Sequence, residues 1–310
     1  IASILFPDHY ARGRHATGTV GTGGATAEVA RVLGWDREQA SHALNAAAWM
    51  PAGLKRNVGR MTKPMHAGQA ARSGVTAGVL AAEGFTSAAG SIDGERGFCD
   101  LYSGDETPAL EERPHLGERW ELVEEGIQVK KYPCCYFTHP AIAATQAIAD
   151  AESLTSAAVD SVTVIGSQGA AEALHYSDPD TGLEAKFSME YTVACGLARD
   201  RVGLAAFDDE NVDDPAVQAV RERVSFEVDP ESGYNPYETT VRIRTTDGQE
   251  FERVQDKPPG TPENPLSDAE LEEKFLGCVQ RAGHSNGEEL YERLDDLRQS
   301  AEMTPIFELL

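Results

Sequence analysis

The stretch KPMHAGQAARSGVTAGVLAAEGF (63–85) carries alanine, glycine and serine at three- and four-residue spacing. That spacing lines small side chains along one helical face. Two helices that meet on such faces pack closely, with little bulk between their backbones. Just upstream, TGTVGTGGATAEVARVLG (17–34) has the same texture, and its glycines give way to a helix near Ala25 that Gly34 ends. Asp36 then caps DREQASHALNAAAWMPAGL (36–54), with Gln39 in the capping-box position. The first third of the chain therefore reads as a helical bundle.

Working outward, residues 103–125 are acidic and irregular and read as a linker. HPAIAATQAIADAESL (139–154) is a further helix, and after it the texture changes. SVTVIGS (161–167) alternates like a strand, as do VSFEVD (224–229) and TTVRIRTTDGQEFERV (239–254). The last of these holds Asp247-Gly248, a hairpin turn signal. KFSMEYTVACGLARD (186–200) and PAVQAVRERV (215–224) read as helices, and LSDAELEEKFLGCV (266–279) opens a helical C-terminus with an Asp cap. A helical domain thus precedes an α+β domain, with no internal repeat.

The bulk numbers agree with two domains and a real core: 310 residues, 41% of them hydrophobic. The chain opens on IASILF, too short for a membrane span or a signal segment; a start at Ile rather than Met reads as a truncation. Net charge is −24, from 51 acids against 27 bases, and only seven of the bases are lysine. A dispersed acidic shell poor in lysine is what a protein of a high-salt cytoplasm would carry, since salt screens the self-repulsion. That field opposes nucleic acid and anionic membranes, so an anionic metabolite would need a local basic pocket. Five cysteines, an odd number with no secretory segment, point to a reducing cytoplasm.

KKYPCCYFTHP (130–140) is the densest chemical stretch. Metal binding fits it poorly, because Cys134 and Cys135 are adjacent and their side chains diverge, whereas zinc sites and redox dithiols use spaced pairs. The expectation is no metal. GTVGTGG (18–24) precedes a helix without a following G-K-[ST] or a clear preceding strand, so close helix packing explains it better than a phosphate cradle. Among the few lysines, Lys63, Lys130, Lys131 and Lys186 sit in glycine-, proline- or aromatic-rich contexts. Lys63 precedes Pro64 with His66 three residues on, where a cation and a proton carrier could serve one carboxylate. His15, in RGRHATGT, suits a pocket floor.

Four segments together resemble the MmgE/PrpD family: GRHATGTVGTGGATAEVARVLGW (13–35), MTKPMHAGQAARSGVTAGVLAAEGFTS (61–87), KKYPCCYFTHPAIAATQAI (130–148) and EAKFSMEYTVACGLA (184–198). The family includes 2-methylcitrate dehydratase, cis-aconitate decarboxylase and an iminodisuccinate epimerase. The resemblance implies an all-helical domain plus a smaller α/β lid domain, the cleft between them, no cofactor and a homodimer. It divides this chain into a helical domain at 1–125, a lid at 126–292 and a C-terminal helix at 293–310 that returns to the helical domain. It also implies roles. His15 matches the histidine before the glycine run, Lys63 the lysine of the TKP-H-G segment with His66 beside it, Lys130 the lid lysine, and Tyr176 of LHYSDP the lid tyrosine. Cys135 stands where the decarboxylase has a histidine, and the family's acidic D-x-D-D-T/H segment lies upstream of Ile1.

On that resemblance the expected activity is a hydro-lyase on a hydroxy-polycarboxylate such as 2-methylcitrate. The alternatives are decarboxylation or epimerisation of a related acid, or an inactive structural member. His15, Lys63, His66 and Tyr176 are the expected catalytic residues. Lys130, Cys135, His139 and Lys186 are expected to line the substrate, with His139-Pro140 starting a helix whose N-terminus adds positive potential.

Overall fold

Small side chains bring three helices of the first unit together. In α1 (Gly21–Val32), α2 (Arg37–Ala47) and α3 (Thr62–Ala82), the buried positions are mostly alanine, glycine, serine and threonine. On α3 they are Ala70, Ser73, Gly74, Ala77, Gly78 and Ala81, the three- and four-residue stripe expected from the sequence. A Cβ at Gly74 would lie 2.7 Å from the backbone nitrogen of Thr26 and 2.6 Å from Ala25 Cβ, so α1 crosses α3 there with no room for a methyl. Gly78 leaves the same kind of space for the Trp35 ring. Alanine normally favours a helix over glycine by about 1 kcal/mol. Gly74→Ala should nevertheless destabilise the protein by about 2 kcal/mol, because backbone atoms must separate; urea denaturation would measure it. The capping box on α2 is present, with Asp36 accepting from the Gln39 amide at 2.9 Å.

The structure is a computed structural model that describes residues 1–5, 8–103, 117–118, 120–300 and 302–309. These divide into two compact units, Ile1–Trp120 and Glu121–Leu310. The stretch read as a linker falls largely on 104–116 and 119, outside the described residues; Glu121–Glu124 within it forms one helical turn.

The second unit is built on a four-stranded sheet, in which the first and third strands in chain order are central and the second and fourth are the edges. Its elements in chain order begin with α4 (His139–Glu152), β1 (Val159–Gly166), α5 (Met189–Ala198) and α6 (Pro215–Arg221). β2 (Val224–Val228), β3 (Thr239–Thr245) and β4 (Glu250–Gln255) follow. Strand β1 pairs in parallel with β2, Val162 opposite Val224, and antiparallel with β3, Val162 opposite Ile243. A parallel pair needs a crossover, and the segment holding α5 and α6 supplies it. Alternation sends Val162, Val164, Val241 and Ile243 into one core with Ile142 and Ile148 of α4 and Tyr191 and Val193 of α5. The β3–β4 hairpin turns at Asp247-Gly248, where Gly248 has φ +89°. Edge strand β4 exposes Glu250, Glu252 and Arg253, charges that discourage pairing with another sheet.

Two local expectations are corrected. Helix α1 begins at Gly21 rather than near Ala25, because packing on α3 outweighs the poor helix propensity of glycine. Helix α7 (Asp268–Arg281) is capped by Ser267, not Asp268, in a capping box with Glu270. After it, α8 (Gly287–Asp295) packs on α7 at Leu276, and the Asn286 side chain donates to the Leu309 carbonyl at 2.6 Å. No helix among the described residues is long and apolar enough to cross a membrane.

Candidate functional site

In the first unit the structure brings His15, His66 and Lys63 together. His15 is extended (φ −94°, ψ 102°) just before a helical turn, and its carbonyl accepts from the amides of Gly18 (3.0 Å) and Thr19 (3.2 Å). A short antiparallel bridge fixes this segment to the loop before α3, with His15 N donating to Gly53 O at 3.2 Å and Lys55 N to Gly13 O at 2.9 Å. His66 lies one turn into α3, and its Nδ1 is 3.0 Å from His15 Nδ1, the rings 5.1 Å apart. Gly18 and Gly53 make the space. A Cβ on Gly18 would come within 3.1 Å of His66 Cβ, and one on Gly53 within 3.3 Å of His15 Cβ. Part of the glycine run is thus explained by the site as well as by helix packing.

The pair is arranged to keep His15 neutral. Burial, then the nearby charges of Lys63 and His66, lower its pKa to about 4. Lys63 stands in the first turn of α3, where backbone amides add to its positive potential. A neutral imidazole beside a cation is suited to hold or move a proton next to a carboxylate.

In the second unit, the 130–140 segment folds into a tight knot. Lys130 Nζ donates to Cys134 O (2.9 Å), Cys135 N donates to Lys186 O (2.9 Å), and Lys131 pairs with Glu270 (2.7 Å). Lys130, Cys135, His139 and Lys186 therefore gather around one chain segment. Cys134 is buried against Thr138, and burial pushes its thiol up to about 12, so it behaves as a small apolar side chain. His139 is fully buried, its ring between Tyr132 and Tyr136 at 5.2 and 4.9 Å. Tyr176 is half-buried beside His175. Among the described residues no three His, Cys, Asp or Glu side chains cluster to hold a metal.

A cavity of about 710 Å³ within this unit is lined by Lys130, Lys131, Arg199, Arg201, Lys274 and Arg281 among others. Lys131, Arg199, Arg201 and Arg281 are ion-paired with Glu270, Asp214, Glu273 and Asp208. Lys130 and Lys274 instead donate to carbonyls, those of Cys134 and Lys130. The sequence singled out the two lysines at 130 and 131. It missed the arginines and Lys274, which arrive from elements some 70 and 140 residues on. It also missed Asn57, whose side-chain nitrogen lies 3.3 Å from His66 Nε2.

Residues 2–111 match the MmgE/PrpD N-terminal domain and residues 132–297 the MmgE/PrpD C-terminal domain. The chain is similar to cis-aconitate decarboxylase of Mus musculus, 24% identical over 303 residues, covering 94% of this chain and 61% of the relative. It is 26% identical to that of Homo sapiens over 270 residues, covering 84% and 55%. With the Aspergillus terreus (strain NIH 2624 / FGSC A1156) enzyme it shares 26% over 333 residues, covering 99% and 66%. The chain thus spans 55% to 66% of the length of these curated relatives. With both domains matched in order over most of its residues, this chain belongs to the MmgE/PrpD family.

Proposed function

We propose that this chain is a cofactor-independent lyase acting on a polycarboxylate. The observation that carries the reading is the His15–His66 contact at 3.0 Å with Lys63 beside it. In such a reaction a proton or CO2 leaves the carbon next to a carboxylate, and negative charge spreads onto the carboxylate oxygens. Lys63 would hold that charge as a point cation, and the histidine pair would supply a proton to the carbanion or to the departing hydroxyl. The other roles follow by family resemblance: Lys130 and Lys186 hold carboxylates, Cys135 and His139 shape the wall, and Tyr176 donates a proton.

Two reactions share this chemistry. Dehydration of a 2-methylcitrate-like acid breaks the carbon–oxygen bond after proton removal, and water departs. Decarboxylation of a cis-aconitate-like acid breaks a carbon–carbon bond, and the carbanion is protonated; the names of the three relatives favour it, while Cys135 in the histidine position favours the first. Epimerisation of a related acid would use the same proton removal and return the proton to the opposite face. The division into helical domain, lid and returning C-terminal helix belongs to the same proposal, as do a cytoplasmic, salt-adapted setting and a homodimer. The exposed apolar side chains Val75, Val79 and Leu80 on α3 support the last.

The test is turnover in multimolar KCl, following alkene absorbance with 2-methylcitrate and CO2 release with cis-aconitate. One acid should be consumed, and Lys63→Ala should lower its turnover by more than about tenfold. Folded protein inert toward both acids would sink the lyase reading for this chain; equal rates in the variant would remove Lys63 from it.

A further inference from the structure

The histidine contact continues to a third side chain. Asn57 Nδ2 lies 3.3 Å from His66 Nε2, and His66 Nδ1 lies 3.0 Å from His15 Nδ1. An amide nitrogen can only donate. The His66 Nε2 facing it must therefore carry a lone pair, which puts the proton of neutral His66 on Nδ1. That proton points at His15 Nδ1, which must in turn be bare, because two nitrogens at this distance share one proton. Neutral His15 is then left with its proton on Nε2.

We infer that Asn57 is a positioning residue that fixes the tautomers of both histidines and so presents His15 Nε2 as a hydrogen-bond donor rather than a base. The local backbone suits this task. Asn57 closes the single 3₁₀ turn Lys55–Asn57, with its own amide bonded to Leu54 O at 3.1 Å. The same loop holds the His15 backbone through Gly53 O and Gly13 O. One rigid loop therefore sets the His15 main chain from one side and the His66 ring from the other. Burial and Lys63 keep His15 neutral, so its tautomer, not its charge, decides what it offers a substrate. A neutral imidazole that donates from Nε2 stabilises charge growing on a carboxylate or enediolate oxygen without itself becoming a cation beside Lys63.

The inference rests on the lyase reading for the use of His15, but the tautomers can be measured without substrate. Protein labelled with ¹⁵N-histidine would be studied by long-range ¹H–¹⁵N NMR near neutral pH. Wild type should show His15 protonated at Nε2 and His66 at Nδ1. Asn57→Asp, which is isosteric but can only accept, should reverse both. Asn57→Leu should leave a mixture at each ring. Wild-type His15 protonated at Nδ1 would overturn the donor assignment, as a 180° turn of the Asn57 amide would produce. Tautomers unchanged in Asn57→Leu would overturn the positioning role. On the acid that wild type consumes, Asn57→Asp should lower kcat by roughly a hundredfold and change KM little; full turnover with reversed tautomers would overturn the donor role. Reversal in a wild-type background that consumes neither acid would support the relay and remove only the lyase reading.

Discussion

Gly260→Ala should destabilise the second unit by on the order of 3 kcal/mol or more, through two costs that fall on one atom. Gly260 has φ +95°, a conformation in which an L residue is strained by roughly 1–2 kcal/mol. Its Cβ would also stand 1.8 Å from the Val129 carbonyl oxygen. That oxygen belongs to the backbone, so no rotamer change relieves the clash; the two segments must part. Parting them breaks the bond from Val129 N to Gly260 O at 2.7 Å and strains the Gly260 N to Asn264 O bond at 2.8 Å. Gly248→Ala separates the two costs, since Gly248 has φ +89° with nothing within 4 Å of a Cβ. It should lose only the backbone part. Urea denaturation followed by far-ultraviolet circular dichroism gives both midpoints. Equal losses in the two variants would mean that the Val129 contact contributes nothing. The effect reaches the candidate site, because Val129 precedes Lys130, whose carbonyl also accepts from Lys274.

How much of this was readable in the chain depends on the distance between partners. Asp36 and Gln39 lie three residues apart and their capping box was legible. So was the hairpin at Asp247-Gly248, and so was the small-residue stripe on α3, because each is a short-range pattern. The cap of α7 was misplaced by one residue because Ser267 and Asp268 are both good caps and only the backbone separates them. Gly260 reads as one more turn residue after Pro258-Pro259; its contact with Val129 spans 131 residues and leaves no local trace. His15, Lys63 and His66 could be singled out by type and setting, but the 51-residue contact between the histidines could not. Asn57 had no signal at all, being a polar residue in a loop. His139 was legible as the start of a helix, which it is, but the two tyrosine rings that packing closes over it left no local trace.

That closure makes acid the second large perturbation. His139 is fully buried, and among the described residues neither ring nitrogen has a partner in hydrogen-bonding geometry. Burial, then the charge of Lys130, lowers its pKa to about 3, with the carbonyls of Cys134 and Tyr132 opposing weakly. Unfolded, the same ring takes up a proton near its ordinary value of 6.5. Between these values the unfolded chain binds a proton that the folded chain refuses. Stability therefore rises with pH across this window and is lost as pH falls through it. The loss from His139 alone should reach about 2 kcal/mol between pH 7 and pH 5. Depressed carboxylates act in a lower window. Glu270, held down to about 2 by Lys131 and Ser267, loses its contribution only below the ordinary carboxylate range. His139→Phe keeps a ring between Tyr132 and Tyr136 and removes the titrating group, so between pH 7 and pH 5 it should lose about 2 kcal/mol less than wild type in circular dichroism. His9 and His15 in the first unit are also lowered by burial, and they give the competing explanation. Tryptophan fluorescence separates the two, because Trp35, Trp49 and Trp120 all belong to the first unit. If the fluorescence midpoint moves with acid as far as the dichroism midpoint, and His139→Phe changes neither, the acid sensitivity lies in the first unit and His139 is not its source.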